Sequence, residues 1–408
     1  MTVTKMTAGK HKGEFRARIQ PVDKITGKQF SMPVRYARTK REAKALEQDM
    51  WNKFQTGYAY NAQKDLFKKC FAEYIRSENE RGRWSNNTYR TWKYTSRVII
   101  EYFPQVKLCD VNEQMIRKFA REFVRKRHLV VNNKSSVARC LNHMRSFFAG
   151  YVGKVFDQNP VPQRALEKFF RLDEMTTSNE RYVLKANEIE VLLSKIKQEL
   201  DFKQVDSCVS RMAIYIDFLT GMRPQEIQAL RWKNLCKTPT GYAFRINDSW
   251  DEHGCAFNGH LKAHKRGEER ITLPIDNEAK ALLDEYHKAQ RKFLKSEGLR
   301  NKNGLVFLNL VDYQRCSKGY PVTQTALNKM LRKLSTKVGI NARGKRWSMY
   351  SLRHTVATKL GSTPGMSYPW AAARLGHRLD EFMGTYVHED VDVDAEMAAK
   401  WKAVRGYS

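Results

Sequence analysis

The stretch from Trp347 to His388 reads WSMYSLRHTVATKLGSTPGMSYPWAAARLGHRLDEFMGTYVH. It places Arg353 in LRHT, His377 in LGH and Tyr386 in TYVH, at steps of 24 residues (377 − 353) and 9 residues (386 − 377). An arginine binds phosphate oxygens through a planar fork of donors and keeps its proton. An imidazole exchanges a proton near neutral pH, and a phenol can form a covalent intermediate. Together these residue types point to chemistry on a phosphodiester. The spacing carries that reading, since each residue alone is commonplace.

Upstream, the apolar run MAIYIDFLTG stops at Gly221 and is followed by Arg223 and Pro224. Proline is favoured in the first turn of a helix, so Arg223 is expected at a helix start, where backbone N–H groups add to its attraction for phosphate. Glu226, one turn along, is placed to orient the guanidinium. The whole pattern resembles the tyrosine recombinases, the phage-integrase family. LRHT, LGH and the following tyrosine match its C-terminal signature, and TGMRPQEIQALRW (Thr220 to Trp232) matches its upstream arginine motif. The resemblance extends over essentially the whole chain.

The resemblance implies a set of roles. Tyr386 attacks a DNA phosphate and leaves a 3′-phosphotyrosine and a free 5′-hydroxyl, and a partner strand's hydroxyl then restores DNA. Arg223 and Arg353 stabilise the charge on the non-bridging oxygens. His377 activates the nucleophile or holds the phosphate. A lysine on a β-hairpin protonates the leaving oxygen. Here TGYAFRINDSW reads as a strand and HLKAHKRGEERITLPI (His260 to Ile275) as a hairpin turning at Lys265 to Glu268. That lysine is Lys265, or Lys262 if the turn is longer. One departure stands out. Three positions before Arg353, where the family has histidine or sometimes lysine, this chain has Tyr350. Its hydroxyl can donate a hydrogen bond to a phosphate oxygen but is no acid or base at neutral pH. His354 is expected to be a packed helix residue. One ester replaces another in this chemistry, so no cofactor and no metal is called for, and neither a phosphate-binding GxxxxGK[ST] loop nor a metal-ligand spacing is present.

Bulk properties agree with a polyanionic partner. The 408 residues carry 74 Lys plus Arg against 43 Asp plus Glu, a net charge of +31, which favours nucleic acid. Seven scattered cysteines without a CxxC pair fit a reducing compartment and no zinc cluster. No apolar run approaches ~18 residues, so no membrane association is expected. The expected location is the cytoplasm, at the nucleoid of a bacterial host.

Read in order, the chain is expected to be mainly α with small β-sheets (α+β), in three parts. Residues 1–60 form a sheet-plus-helix module. FRARI (Phe15 to Ile19) and the region Phe30 to Tyr36 alternate apolar and basic residues around the turn DKITGK. Thr39 and Glu42 form a capping box that opens a helix ending near Gly57. Arg16, Arg18, Arg35, Lys24 and Lys28 would meet DNA there, as in the arm-site-binding domain that many integrases carry. Residues 61–172 hold four helices that resemble the core-binding domain. Arg117, Lys118, Arg121 and Arg125 lie along the third and Arg139 and Arg145 along the fourth, where they could meet backbone phosphates. Asn159 to Asn179 reads as tether, with a short helix from Ala165 to Leu172 and the linker proper at 173–180. The catalytic domain follows, residues 181–408. Its tail, with Met397, Trp401 and Val404 on one face, docks on a neighbouring protomer by resemblance, or else on its own domain.

The function implied is that of a site-specific recombinase, the integrase of a phage or mobile element. Its implied partners are double-stranded DNA at core and arm sites, three further copies in a homotetramer, a DNA-bending host factor and an excisionase. The rivals are a type IB topoisomerase or telomere resolvase with the same chemistry, and a DNA-binding regulator that has lost catalysis. The regulator would be expected to lack an arginine or the tyrosine, and none is missing.

Overall fold

The computed structural model describes residues 3–22, 29, 34–55, 65–176, 180–262, 268–387 and 391–405. Lys24, Lys28, Phe30, Gly57, Lys265 and His388 lie outside the described residues, as do most of DKITGK and of the linker. The chain divides into two units, residues 1–178 and 179–408.

In the first unit, β1 (Val3–Lys5), β2 (Phe15–Ala17) and β3 (Arg35–Ala37) form an antiparallel sheet in that order. Strand β1 was not foreseen, because VTK is too short to show alternation. Phe15 faces Ala37 and Arg16 faces Tyr36 across β2 and β3. Strand alternation therefore puts Phe15, Ala17 and Ala37 on the face covered by α1 (Lys40–Gln55) and Arg16 on the other. The expected capping box is formed: Thr39 N–H donates to Glu42 Oε2 and Glu42 N–H to Thr39 Oγ1, both at 3.2 Å.

Four helices follow: α2 (Phe67–Glu80), α3 (Asn86–Tyr102), α4 (Glu113–Arg127) and α5 (Ser136–Ala149). Ser85, Asn112 and Ser135 cap the last three by accepting a backbone N–H. The apolar stripes meet in an aromatic core where Phe67 touches Phe71, Phe103, Phe147 and Phe148 at ring separations of 5.2–5.7 Å. The reading of 159–172 as tether needs correction. Val161, Leu166, Phe169 and Phe170, around the short α6 (Ala165–Phe169), are buried in this core. Their side chains are too apolar to be left in water, whatever the prolines beside them do to the helical pattern.

The second unit is built around α8 (Val205–Thr220), which is buried on nearly every side, as expected of a helix apolar all round. It packs among α7 (Ala186–Gln198), α10 (Asn277–Ser296), α12 (Gln324–Lys337) and α13 (Met349–Gly361). Short α9 (Pro224–Ala229) leads into a sheet of β4 (Leu235–Thr238), β5 (Gly241–Ile246) and β8 (Arg270–Ile271), with β5 central. The strand TGYAFRINDSW thus breaks after Ile246, and its end makes a separate two-stranded hairpin, β6 (Trp250–Asp251) with β7 (Ala256–Phe257). The hairpin expected across 260–275 is described on its second side alone, where β8 pairs with β5 and not with residues 260–262. After α11 (Tyr313–Ser317), the chain closes with α14 (Tyr368–Leu375), α15 (Leu379–Tyr386) and α16 (Val391–Val404). Among the described residues, no helix is long and apolar enough to cross a membrane.

Phe67→Ala empties the centre of the first unit's aromatic core and is expected to cost about 3–5 kcal/mol. Urea denaturation followed by circular dichroism measures it, and a loss below 1 kcal/mol, on the order of a surface change, contradicts the packing described.

Candidate active site

Two helices that end on left-handed glycines create the site. Helix α8 ends at Gly221 (φ 60°) and α14 at Gly376 (φ 69°). Both positions need glycine for the backbone turn and for space. A Cβ on Gly221 would come within 2.6 Å of Leu375 Cδ2, and one on Gly376 within 2.7 Å of Arg270 Nε. Helix ends leave carbonyls without partners and carry partial negative charge. Here arginines satisfy them. Arg353, on α13, donates from Nη1 to Gly221 O at 2.7 Å and from Nη2 to Leu375 O at 2.6 Å. Arg223, just before α9, donates from Nη2 to Gly376 O at 2.8 Å.

Arg223 also bonds Glu226 through Nη1 at 3.0 Å, and its backbone N–H donates to the same carboxylate at 2.8 Å. A third guanidinium, that of Arg270 on β8, bonds Glu226 Oε2 and the Arg374 carbonyl. Arg223, Arg270, Arg353 and Glu226 are all buried. Burial pushes the Glu226 carboxyl up, but Arg270, Arg223 and Arg353 outweigh it and hold the group below its usual range. Burial and then the charge of Arg223 lower Arg353 to about 10, so it stays a cation at neutral pH. Asp217, one turn before the end of α8, is fully buried and pushed well above its usual range by burial, against the pull of Arg353. Three guanidiniums bonded around the one carboxylate of Glu226 leave positive charge in excess among these four buried side chains, which a phosphodiester would offset in part.

His377 follows Gly376 and accepts a hydrogen bond at Nε2 from Arg353 Nη2, 2.8 Å away. Burial, then Arg353, Arg223 and Arg270, lower its pKa to about 3. An imidazole that accepts at Nε2 and is neutral carries its proton on Nδ1. That Nδ1 is buried without a partner among the described residues. His377 is thus a hydrogen-bond donor in waiting, not a base: its lone pair is already spent on Arg353.

The Tyr386 ring stacks on His377 at 5.4 Å and 12°, with His354 at 5.1 Å and Phe382 at 5.5 Å. Burial raises its phenol, while Arg353 pulls the other way. Gly361, the last residue of α13, makes room for it: a Cβ there would lie 2.2 Å from the Tyr386 carbonyl oxygen. Tyr350, on the first turn of α13, is half-buried, and the guanidinium of Arg181 lies over its ring at 5.1 Å. Of the six residues expected to act, Arg223, Arg353, His377 and Tyr386 are brought together, Tyr350 lies within the field of both arginines, and Lys265 lies outside the described residues. Lys262 is exposed. Arg270 and Arg181 were not singled out from the sequence.

The basic residues expected on DNA fall into two groups. Arg18, Arg35, Arg117, Lys118, Arg125 and Arg139 are exposed and Arg16 partly so, although Arg35 shares the face of Ala17 and not that of Arg16. Arg121 and Arg145 are engaged within their own unit. Arg121 bonds Phe169 O at 3.0 Å and pairs with Glu174 at 3.1 Å, and Arg145 bonds Val161 O at 2.6 Å.

Two arginines and an imidazole gathered beside a phenol define the class, a DNA strand transferase of the tyrosine type. The phage integrase family model matches residues 182–392, just over half of the chain, and the chain belongs to that family, the site-specific tyrosine recombinases. No curated protein sequence matches it. Solved structures with this fold include the Tn1549 transposon integrase in complex with circular intermediate DNA (TM-score 0.61, 17% identity, 83% of this chain and 100% of that one). Another is the XerH site-specific recombinase bound to difH substrate, a pre-cleavage complex (TM-score 0.54, 18% identity, 91% and 100%). A third is a lambda integrase tetramer bound to a Holliday junction (TM-score 0.50, 14% identity, 93% and 96%).

Two expectations follow. Gly361→Ala forces the Tyr386 backbone aside and should slow DNA cleavage about 100-fold, the cost of an ångström-scale misplacement, with little loss of thermal stability. Single-turnover cleavage assays test it, and an unchanged rate contradicts the close approach. For His377, the folded value lies below the unfolded value of ~6.5. The unfolded chain therefore binds the extra proton, and stability from the neutral imidazole is present above pH ~6.5 and lost as pH falls toward 3. The thermal midpoint should fall more steeply between pH 7 and 4 for the native chain than for His377→Gln; parallel curves contradict a neutral His377.

Proposed function

We propose that Tyr386 is the nucleophile with which this recombinase cuts and rejoins duplex DNA at its attachment sites, integrating and excising a mobile element. The observation that carries this assignment is the convergence of Arg223, Arg353 and His377 beside the Tyr386 ring. The phenol oxygen forms a bond to phosphorus, the bond from phosphorus to the 5′ oxygen breaks, and the phenol proton passes to solvent water as the leaving oxygen gains one. Lys265, or Lys262, supplies that proton. Arg223 and Arg353 face the non-bridging oxygens, His377 donates its Nδ1–H, and the Tyr350 hydroxyl donates a further hydrogen bond. A 5′-hydroxyl then attacks the phosphotyrosine and frees Tyr386. Neither step calls for a cofactor.

In this reading residues 1–60 are the arm-type DNA-binding module, 61–172 the core-binding domain, 173–180 the linker and 181–408 the catalytic domain. Arg16, Arg18, Arg35, Arg117, Lys118, Arg125 and Arg139 meet phosphates, whereas Arg121 and Arg145 mainly hold their own unit together. The net charge of +31 supports a DNA partner, as do relatives whose structures are DNA complexes. The working form is a homotetramer, by analogy with the lambda integrase tetramer. Met397 and Trp401, exposed on α16, provide the apolar surface that a neighbouring copy would cover. An excisionase and a DNA-bending host factor set direction, and the protein works at the nucleoid in the cytoplasm.

The test uses nicked duplex fragments of the DNA that flanks the gene, incubated with the full chain and resolved under denaturing conditions. A covalent protein–DNA adduct is expected, absent in Tyr386→Phe and slowed about 10²–10³-fold in Arg353→Ala. An adduct that persists in Tyr386→Phe overturns the assignment.

A further inference from the structure

We propose that Arg181 is a further phosphate-binding residue of this active site, seated on the ring of Tyr350 and directed to the DNA strand that Tyr386 attacks. The inference rests on the assignment of Tyr386 as nucleophile. Residues 180–182 are zipped along the entry to α13. Arg346 N–H donates to Glu180 O at 2.8 Å and Tyr182 N–H to Arg346 O at 3.0 Å, and a little further on Leu184 N–H donates to Thr355 Oγ1 at 3.0 Å. Arg181 is thereby fixed beside the turn that carries Tyr350, one helical turn before Arg353.

Its guanidinium lies 5.1 Å from the centre of the Tyr350 ring. Stacking uses the flat face of a guanidinium and leaves its five in-plane donors to meet an anion. Arg223 and Arg270 each spend donors on Glu226 and on a helix-end carbonyl, and Arg353 spends donors on carbonyls and His377. Among the described residues, no carboxylate pairs with Arg181. It is nonetheless half-buried and so close to the reacting groups that its charge lowers the phenols of both Tyr350 and Tyr386, against the burial that raises them. Tyr350 is uncharged at neutral pH. Arg181 brings a cation to that corner, and the Tyr350 ring is its platform.

The experiment compares adduct formation on the nicked duplex carrying an ordinary scissile phosphate with that on one carrying a methylphosphonate there, which has no charge. On the ordinary substrate Arg181→Ala should be slower about 100-fold, the scale for loss of one preorganised donor, and Arg181→Lys should recover most of the rate. On the methylphosphonate the deficit of Arg181→Ala should largely disappear, because the charge that Arg181 met is gone. Tyr350→Leu should reproduce the deficit, and adding Arg181→Ala to it should cost little more, as coupled residues do. Should Arg181→Ala fail to fold, Arg181→Gln carries the same comparison. An Arg181→Ala rate equal to that of the native chain, or an equal deficit on both substrates, overturns the inference while leaving Tyr386 in place. A native chain that forms no adduct, or an adduct that survives Tyr386→Phe, overturns both.

Discussion

One carboxylate stands among three guanidiniums. Among the described residues, Glu226 is the sole acid that bonds Arg223 and Arg270, and its charge also reaches Arg353. Burying charge without compensation is expensive, and breaking such a network by removing one partner costs about 3–5 kcal/mol. The fold meets that cost in part with Glu226 and in part with the carbonyl ends of α8 and α14, whose left-handed glycines aim them inward. What is left over is positive. A site that is dry, rigid and under-neutralised is arranged for an anion, and stabilisation of developing charge by fixed groups needs just such an environment.

The same field governs the groups that would react. Burial, and then the arginines around it, lower the His377 pKa to about 3 and leave its imidazole neutral. Burial holds the Tyr386 phenol protonated while Arg353 opposes that tendency. Asp217, whose buried carboxyl is pushed upward and has no hydrogen-bond partner among the described residues, bonds none of the three arginines.

The sequence disclosed those parts of this design that follow local rules. The capping box of Thr39 and Glu42 and the four helices of 61–172 come from short-range geometry, and the motifs around Arg223, Arg353, His377 and Tyr386 come with fixed spacing. Other parts depend on contacts between distant segments. Arg270 sits on a two-residue strand that shows no alternation, and Arg181 has no motif of its own; their placement is set by Glu226, 44 residues away, and by Arg346 and Tyr350. The tether reading failed at 159–172 because two prolines drew attention from Phe169 and Phe170. The basic rows of α4 and α5 looked uniform, yet Arg121 and Arg145 bond carbonyls of their own unit, a distinction that composition does not carry.

The bare Cα of Gly361 has a consequence for control. It lets two main chains touch where the helix bearing Arg353 ends and the one bearing Tyr386 closes. The reach of the phenol is therefore metered by main-chain spacing and not by any titrating group. A side chain added at position 361 would therefore act on Tyr386 through the backbone.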